Sequence, residues 1–180
     1  MMLSLINMIT IRDAVTGDTG RLLEIYDHYV KNTAITFDYD TPSEAEFSLH
    51  MEEIKKKYPF IVITDDDRIL GYAYAGPFKD REAYKYSVEL SVYLDHSVTH
   101  RGLGRMLYEE MEKRLADPSI TNLYACIGYP ETEDEYLTKN SAQFHEAMGF
   151  TLAGRFRKCG YKFGRWYDMI WMEKMIGKHR

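Results

Sequence analysis

Residues 89–107 read ELSVYLDHSVTHRGLGRML and hold the local pattern that decides the fold. The first six residues are rich in side chains that favour extended backbone, which predicts a strand. After them, apolar residues recur every four positions at Leu103, Leu107 and Met111, which predicts a helix. A short turn with two glycines separates the two patterns. We therefore predict a strand, a glycine turn and a helix in immediate succession.

The turn from Thr99 to Arg105 has the composition of an anion site. Gly102 and Gly104 permit left-handed backbone angles and let a ligand approach the main chain closely. The free N–H groups of the first helical turn point at such a ligand, and the positive end of the helix dipole lies behind them. Arg101 and Arg105 add positive charge on either side. The turn therefore predicts a phosphate site, with a purely structural glycine turn as the alternative.

Two common phosphate-binding motifs do not fit this turn. A P-loop requires Lys followed by Ser or Thr after its second glycine, whereas Arg105 and Met106 follow Gly104. A dinucleotide-binding fingerprint requires Gly or Ala at position 107, which is Leu107, and it opens a βαβ repeat. Both motifs are excluded.

Hydrophobic periodicity outside this stretch predicts a mixed α+β domain. The predicted strands are 8–13, 60–64, 69–76, 88–94, 122–129, 151–158 and 167–172. The predicted helices run through 22–30, behind a capping box of Ser43 and Glu46, from the glycine turn to a stop at Asp117-Pro118, and over 140–148 with Gly149 as a left-handed cap. Without a repeat or a linker, the chain is predicted to be one domain, 1–180, in which 1–7 is a short N-terminal extension.

Composition narrows the class of partner. The formal net charge is −5, from 23 Lys and Arg against 28 Asp and Glu, which argues against a nucleic-acid binder or a polybasic membrane anchor. No apolar run approaches the roughly 20 residues that span a bilayer, and the first residues lack the basic start and the cleavage site of a signal peptide. We expect a cytoplasmic protein that binds neither nucleic acid nor membrane.

Neither the cysteines nor the acidic residues have the spacing along the chain that is typical of metal ligands. Cys126 and Cys159 stand alone, which we interpret as two buried, reduced thiols, as suits a cytoplasmic protein. The run of Asp65, Asp66 and Asp67 predicts a solvated turn between strands, since no further ligands follow at the spacing of a binding loop. We expect no metal.

Ordered motifs along most of the chain, from Met8 to Lys174, carry a family resemblance. The turn resembles the pyrophosphate loop of the GNAT acetyltransferases, whose usual pattern is Gln/Arg-x-x-Gly-x-Gly/Ala; Gly102 and Gly104 fit it, whereas Thr99 occupies its first position. Four further segments resemble the phosphinothricin acetyltransferase branch of that family: 74–79 (YAGPFK), 86–89 (YSVE), 144–150 (FHEAMGF) and 160–168 (GYKFGRWYD).

The resemblance implies a fold and a cofactor site. The implied fold has three layers, α/β/α, around a mixed and mostly antiparallel sheet in which two parallel strands splay apart. Acetyl-CoA would lie between those strands. Its implied contacts are the backbone of Val92, Tyr93 and Leu94, the turn residues His100, Arg101, Gly102, Leu103, Gly104 and Arg105, and the side chain of Asn140. For Asn140, a helix N-cap is the simpler explanation, and both roles are compatible. The acidic segment 131–137 before it is either a solvated loop or an edge of the cleft. Relatives in this branch are commonly homodimers.

Acetyl transfer requires a neutral amine, a stabilised oxyanion and a proton for the leaving thiolate. The resemblance places the general base of this branch at Glu89; on the pattern alone, a strand glutamate that faces solvent or pairs with Lys85 is the alternative. A backbone N–H on the strand that carries Val92 would stabilise the oxyanion. His145 stands where many relatives have Tyr as general acid, and a helix-packing histidine is its alternative.

The same resemblance implies an acceptor pocket for a small amine. Lys79, Asp80 and Arg81 stand where the branch contacts its substrate, and Phe37 matches an aromatic that lines the pocket. Glu89, the implied base, is also an implied acceptor contact. The herbicide-inactivating relatives carry Arg after that Phe, whereas this chain has Asp38. An amino acid or an analogue of the methionine sulfoximine type is the expected acceptor. An acetyltransferase that acts on protein N-termini or lysines, and a non-catalytic CoA-binding module, are the alternatives.

Overall fold

The described part of the chain, residues 8–98, 101–116 and 119–179 of a computed structural model, forms one seven-stranded sheet flanked by helices. The strands are β1 (Ile9–Asp13), β2 (Phe60–Asp65), β3 (Arg68–Pro77), β4 (Ser87–Leu94), β5 (Asn122–Tyr129), β6 (Thr151–Lys162) and β7 (Arg165–Met175). The helices are α1 (Thr19–Asn32), α2 (Glu44–Lys55), α3 (Leu103–Leu115) and α4 (Asn140–Ala147). The predicted order of elements is confirmed. The predicted helix stop at Asp117-Pro118 lies outside the described residues.

The sheet is mixed and mostly antiparallel, as predicted. Its strand order is β1-β2-β3-β4-β5-β7-β6. Every neighbouring pair is antiparallel except β4 and β5, which run parallel near the middle of the sheet. The two parallel strands are joined through α3, because parallel neighbours require a crossover connection.

Two apolar cores, one on each face of the sheet, make the structure three-layered. On one face, α1 and α2 contribute Leu22 and Met51, which pack against Tyr72 of β3. On the other face, α3 contributes Leu107 and Met111, which pack with side chains of β2, β3, β5 and β7 and with residues around α4. Each fully buried side chain of this size stabilises the fold by roughly 1.5–3 kcal/mol. The three-layer prediction is confirmed.

Local signals at the helix ends also hold. The Ser43 hydroxyl accepts the Glu46 N–H at 3.3 Å, and the Glu46 carboxylate accepts the Ser43 N–H at 2.8 Å, so the capping box is formed. Gly149 has a φ of +89°, which explains the glycine after α4.

The C-terminal hairpin is longer than predicted. We expected strands over 151–158 and 167–172, whereas β6 and β7 continue until a turn at Phe163 and Gly164. Both turn residues have positive φ, +51° and +73°, as in a tight hairpin turn. An irregularity between Phe156 and Gly160, where Lys158 also has positive φ, interrupts the alternation on which the prediction relied.

The two cysteines are more exposed than predicted. Cys126 and Cys159 are both free and exposed, so the expectation of two buried thiols is wrong. Cys126 alternates along β5 with the buried Ala125 and Ile127, which places it on the opposite face of the sheet.

Among the described helices, none combines the length and apolar character needed to cross a bilayer.

Candidate active site

The parallel strands β4 and β5 form only a short ladder before they separate. They pair at Ser87 with Asn122, Val88 with Leu123, and Glu89 with Tyr124. Beyond Glu89, β4 continues to Leu94 bonded to β3 alone, and β5 continues to Tyr129 bonded to β7 alone. The facing edges of both strands therefore present backbone N–H and C=O groups to a wedge-shaped gap.

A small cavity and a larger groove occupy this gap. The cavity has a volume of about 60 Å³, and the groove one of about 490 Å³. The two spaces share Ile35, Val92 and Ser141 as lining residues, so the groove runs into the cavity. A long, narrow ligand that starts at the glycine turn can therefore reach the point where the strands part.

Most of the predicted cofactor residues surround these two spaces. The cavity and groove are lined by Val92, Tyr93, Leu94, Gly102, Leu103, Gly104, Arg105 and Asn140. Arg101 does not line either space, because its guanidinium lies 4.0 Å from the Asp65 carboxylate. His100 and Thr99 lie outside the described residues.

The start of α3 has the features of an anion site. Gly102 occupies the N-cap position with a φ of +75°, which explains why a glycine stands there. No described side chain caps this helix end, so its N–H groups and the dipole face the groove. A Cβ at Gly104 would lie 3.2 Å from the Phe144 ring, so this glycine lets α4 approach closely. The groove thus offers free backbone donors at one end and a narrow channel beyond it.

Glu89 is the last paired residue of the parallel ladder. Its side chain is half-buried, and burial raises the pKa of its carboxyl, while the positive charge of Lys79 acts in the opposite direction. No described residue forms a hydrogen bond or an ion pair with it. Lys85, the alternative partner, instead pairs with Glu82 at 3.0 Å. The Glu89 carboxylate is available to accept a proton.

His145 forms a buried pair with a residue that sequence reasoning missed, Tyr108. The His145 Nδ1 lies 2.7 Å from the Ser141 carbonyl oxygen, and its Nε2 lies 2.8 Å from the Tyr108 hydroxyl. Because a carbonyl only accepts, Nδ1 carries the hydrogen and Nε2 accepts the tyrosine O–H. Burial lowers the pKa of His145 to about 4, so the ring is neutral near pH 7. In the resting site the Tyr108 hydroxyl hydrogen therefore points at His145.

Nothing in the sequence singled out Tyr108, because its position fits the apolar face of a helix. It lies on α3 in the register of the apolar face, and it meets His145 of α4 only in the folded chain. Burial raises the pKa of its hydroxyl further above the usual range. Tyr108 and His145 both line the small cavity at the point where β4 and β5 separate.

Lys79 lies on an aromatic platform near Glu89. Its Nζ is 5.1 Å from the centre of the Phe78 ring and 5.3 Å from that of Trp171. The Phe78 ring stacks on Tyr124, which pairs with Glu89 across the parallel ladder. This arrangement places one positive charge beside the candidate base, on aromatic faces that favour cations.

The other predicted acceptor residues are distributed unevenly. Phe37 packs against Gly128 of β5 and Gly160 of β6, close to the wedge. Phe37, Lys79, Asp80, Arg81 and Glu89 do not line the cavity or the groove themselves. The charge of Lys79 acts on Glu89, and Phe37 packs beside β5, whereas Asp80 and Arg81 follow Lys79 in the exposed connection after β3. In the described ranges, no three His, Cys, Asp or Glu side chains converge as metal ligands.

Comparison with known proteins settles the family. The model of the acetyltransferase (GNAT) domain matches residues 11–171, which is most of the chain. The chain belongs to the GNAT acetyltransferases. It is an acetyl-CoA-dependent N-acetyltransferase, and the predicted resemblance is confirmed.

Individual relatives place this GNAT acetyltransferase within the branch. Phosphinothricin N-acetyltransferase of Streptomyces coelicolor is 35% identical over 93% of this chain and 96% of its own length. L-methionine sulfoximine/L-methionine sulfone acetyltransferase of Salmonella typhimurium is 28% identical over 94% of this chain and 96% of its own. The crystal structure of a GNAT phosphinothricin acetyltransferase from Sinorhizobium meliloti, in complex with acetyl-CoA, superposes with a TM-score of 0.86 at 34% identity, covering 94% of this chain and 89% of that one.

Proposed function

We propose that this enzyme acetylates the α-amine of a small acceptor that also carries a carboxylate, an amino acid or an analogue of the phosphinothricin and methionine sulfoximine type. The relatives named for such acceptors support the proposal. The observation that carries it is that the Glu89 carboxylate, which no described residue bonds, lies close enough to the Lys79 ammonium to feel its charge. The Glu89 carboxylate suits the amine of the acceptor, and the Lys79 ammonium suits the carboxylate of the same small molecule.

The groove fits acetyl-CoA by its chemistry. We propose that the N–H groups at the start of α3 and Arg105 hold the pyrophosphate, and that the β4 edge at Val92, Tyr93 and Leu94 bonds the pantetheine arm. Asn140, at the start of α4, lines the same groove and would add a side-chain contact. Acetyl-CoA supplies the activated acetyl group as a thioester.

Glu89 acts as the general base in this proposal. An α-ammonium has a pKa of roughly 8, so modest assistance produces the neutral amine near pH 7. Because burial raises its pKa, the Glu89 carboxylate is a better proton acceptor than an exposed glutamate. It can accept the amine proton directly or through one water molecule.

Backbone and tyrosine groups serve the other two requirements. An N–H of the unpaired β4 edge near Val92 stabilises negative charge on the acetyl oxygen, because its direction is fixed by the sheet. The Tyr108 O–H, which His145 Nε2 accepts in the resting site, turns toward the leaving sulfur and donates a hydrogen bond to the thiolate, which then takes its proton from solvent. In this proposal neutral His145 positions that donor, in place of the general-acid role that the resemblance implied. Free thiols have a pKa near 8.5, so the hydrogen bond contributes modestly.

Assembly, location and domain boundaries complete the proposal. We infer a homodimer, supported by exposed aromatic side chains on the C-terminal hairpin, where Tyr161 and Trp166 pair with ring centres 4.9 Å apart. A cytoplasmic location is supported by the two free thiols, Cys126 and Cys159, which suit a reducing compartment. Residues 1–180 are proposed to be one N-acetyltransferase domain, with 1–7 as an extension.

The test is a screen of acceptors against acetyl-CoA, with release of the CoA thiol as the signal. We expect turnover with free amino acids or their sulfoximine and phosphinate analogues, and loss of turnover when the acceptor's carboxylate is converted to an amide. Turnover confined to peptides with free N-termini or lysines would favour the protein acetyltransferase instead. Binding of acetyl-CoA without turnover on any amine would favour a non-catalytic module.

A further inference from the structure

Lys162 is a buried cation that the proposed mechanism does not use. It is the last residue of β6, and only 4% of its surface is exposed. Its Nζ donates hydrogen bonds to the carbonyl oxygens of Thr33 and Thr36, both at 2.9 Å. No described carboxylate forms an ion pair with it; burial lowers the pKa of its ammonium, while the charge of Asp38 acts in the opposite direction. The Nζ also lies 5.1 Å from the centre of the Phe163 ring. A charge this costly to bury requires a structural reason.

Both carbonyl groups belong to one segment, residues 33–38, which follows α1 and lies over the wedge. Ile35 of this 33–38 segment lines the small cavity and the cofactor groove at once. Phe37 lies two residues further along, at the end where the acceptor is proposed to bind. The segment therefore borders both the proposed acetyl-CoA groove and the proposed acceptor side.

Close packing holds the 33–38 segment against β5 and β6. The Ala34 N–H donates to the Tyr136 carbonyl at 3.0 Å. A Cβ at Gly128 would lie 2.8 Å from the Ala34 carbonyl oxygen, and one at Gly160 would lie 2.3 Å from the Phe37 ring. These two glycines provide the space that the segment occupies.

Side chains on α1 close the other side of the 33–38 segment. The Tyr26 hydroxyl lies 2.9 Å from the Thr36 hydroxyl and also donates to the Asp38 carboxylate. The segment is thus bonded to α1, to the loop before α4 and to β6, and Lys162 supplies the charged contact from β6.

We infer that Lys162 is a positioning residue for acetyl transfer, and that together with Gly160 it fixes the 33–38 segment so that Ile35 and Phe37 shape the acceptor pocket. This inference rests on the proposed function. Lys162 itself touches neither acceptor nor acetyl-CoA; it acts through the two backbone carbonyls that it holds. Its loss should impair acceptor binding while leaving the pyrophosphate end of the groove unchanged.

The first test replaces Lys162→Met, which keeps the length of the side chain and removes the charge. We expect the acceptor KM to rise by about tenfold, as for loss of hydrogen bonds from a charged donor. The dissociation constant for acetyl-CoA should change far less, and amide hydrogen exchange in 33–38 should accelerate more than in α2. Lys57→Met, at an exposed position away from the wedge, is the matched control and should alter none of these quantities.

Gly160→Ala tests the same inference without removing a charge. The new methyl group would displace the Phe37 ring, so we again expect a raised acceptor KM with acetyl-CoA affinity retained. An unchanged acceptor KM in both folded variants would overturn the inference, as would equal losses of acceptor and acetyl-CoA affinity. If the wild-type enzyme acetylates no amine, the proposed function fails, whereas hydrogen exchange in 33–38 still reports whether Lys162 holds the segment.

Discussion

The two sides of the wedge are built in different ways. The cofactor side comes mainly from one continuous stretch, in which β4 supplies an unpaired edge and α3 supplies its N–H groups, and residues of α4 and Ile35 complete the groove. The acceptor side is assembled from separate parts of the chain: the 33–38 segment, Lys79 after β3, Glu89 on β4, and the β6–β7 hairpin.

This difference affects how strongly a substitution on each side would change ligand recognition. In the proposed function, mainly backbone groups hold the cofactor, with Arg105 and Asn140 adding side-chain contacts, so its recognition depends little on side-chain identity. Side chains hold the acceptor in the same proposal, and a single replacement there would alter charge or shape. We expect the enzyme's specificity for acetyl-CoA to be robust and its choice of acceptor to change easily.

Glu89→Gln should produce the largest effect, because Glu89 lies where the two sides meet. We expect kcat/KM to fall by about a hundredfold or more, the usual contribution of a general base, with acetyl-CoA binding retained. In the wild type, kcat/KM should fall as the pH drops through the raised pKa of Glu89, because the protonated carboxyl cannot accept a proton. Steady-state rates measured as a function of pH would test both.

The matched control for this variant is Glu82→Gln, which removes an exposed carboxylate that forms an ion pair with Lys85. It should retain both the rate and the acid limb of the pH profile. Wild-type turnover in Glu89→Gln at neutral pH would remove Glu89 from the mechanism and would leave the meeting point of the two sides without a base.

A crossed pair of variants sharpens the comparison itself. Lys79→Met should raise the acceptor KM by about tenfold through loss of a charged contact, with acetyl-CoA affinity unchanged. Arg105→Met should weaken acetyl-CoA binding by about threefold, since Arg105 is an exposed cation, with the acceptor KM unchanged. Lys85→Met serves as the control for Lys79. Equal effects of either variant on both ligands would contradict the division into two sides.

Tyr108→Phe should give an effect as small as that of Arg105→Met. The variant keeps the packed ring and removes the proton donor to His145, so we expect kcat to fall by about threefold while KM for both ligands holds. The loss is small because a thiol leaves readily without an acid. Single-turnover kinetics would locate the loss in the transfer step. A fall as large as that of Glu89→Gln would mean that proton donation to the thiolate limits the reaction.

The same contrast decides how much could be predicted from the sequence. The strand, glycine turn and helix of residues 89–107 were predictable, because local periodicity and glycine placement specify them within one stretch. The Tyr108–His145 pair, the platform under Lys79 and the contacts of Lys162 were not, since each joins residues far apart in the chain. The exposure of Cys126 was missed for a related reason, because alternation alone does not tell which face of a strand is covered.

If acetyl-CoA binds in the wedge as proposed, the brief pairing of β4 with β5 also links the stability of the fold to that ligand. A sheet normally gains cohesion from an unbroken ladder, yet here the ladder stops at Glu89, near its centre. A bound pantetheine arm, with its amide groups, would complete that ladder in place of protein backbone. Any ligand that binds only the folded chain shifts unfolding by RT ln(1 + [L]/Kd). In a cell rich in acetyl-CoA, binding of this substrate would then raise the free energy of unfolding of the enzyme.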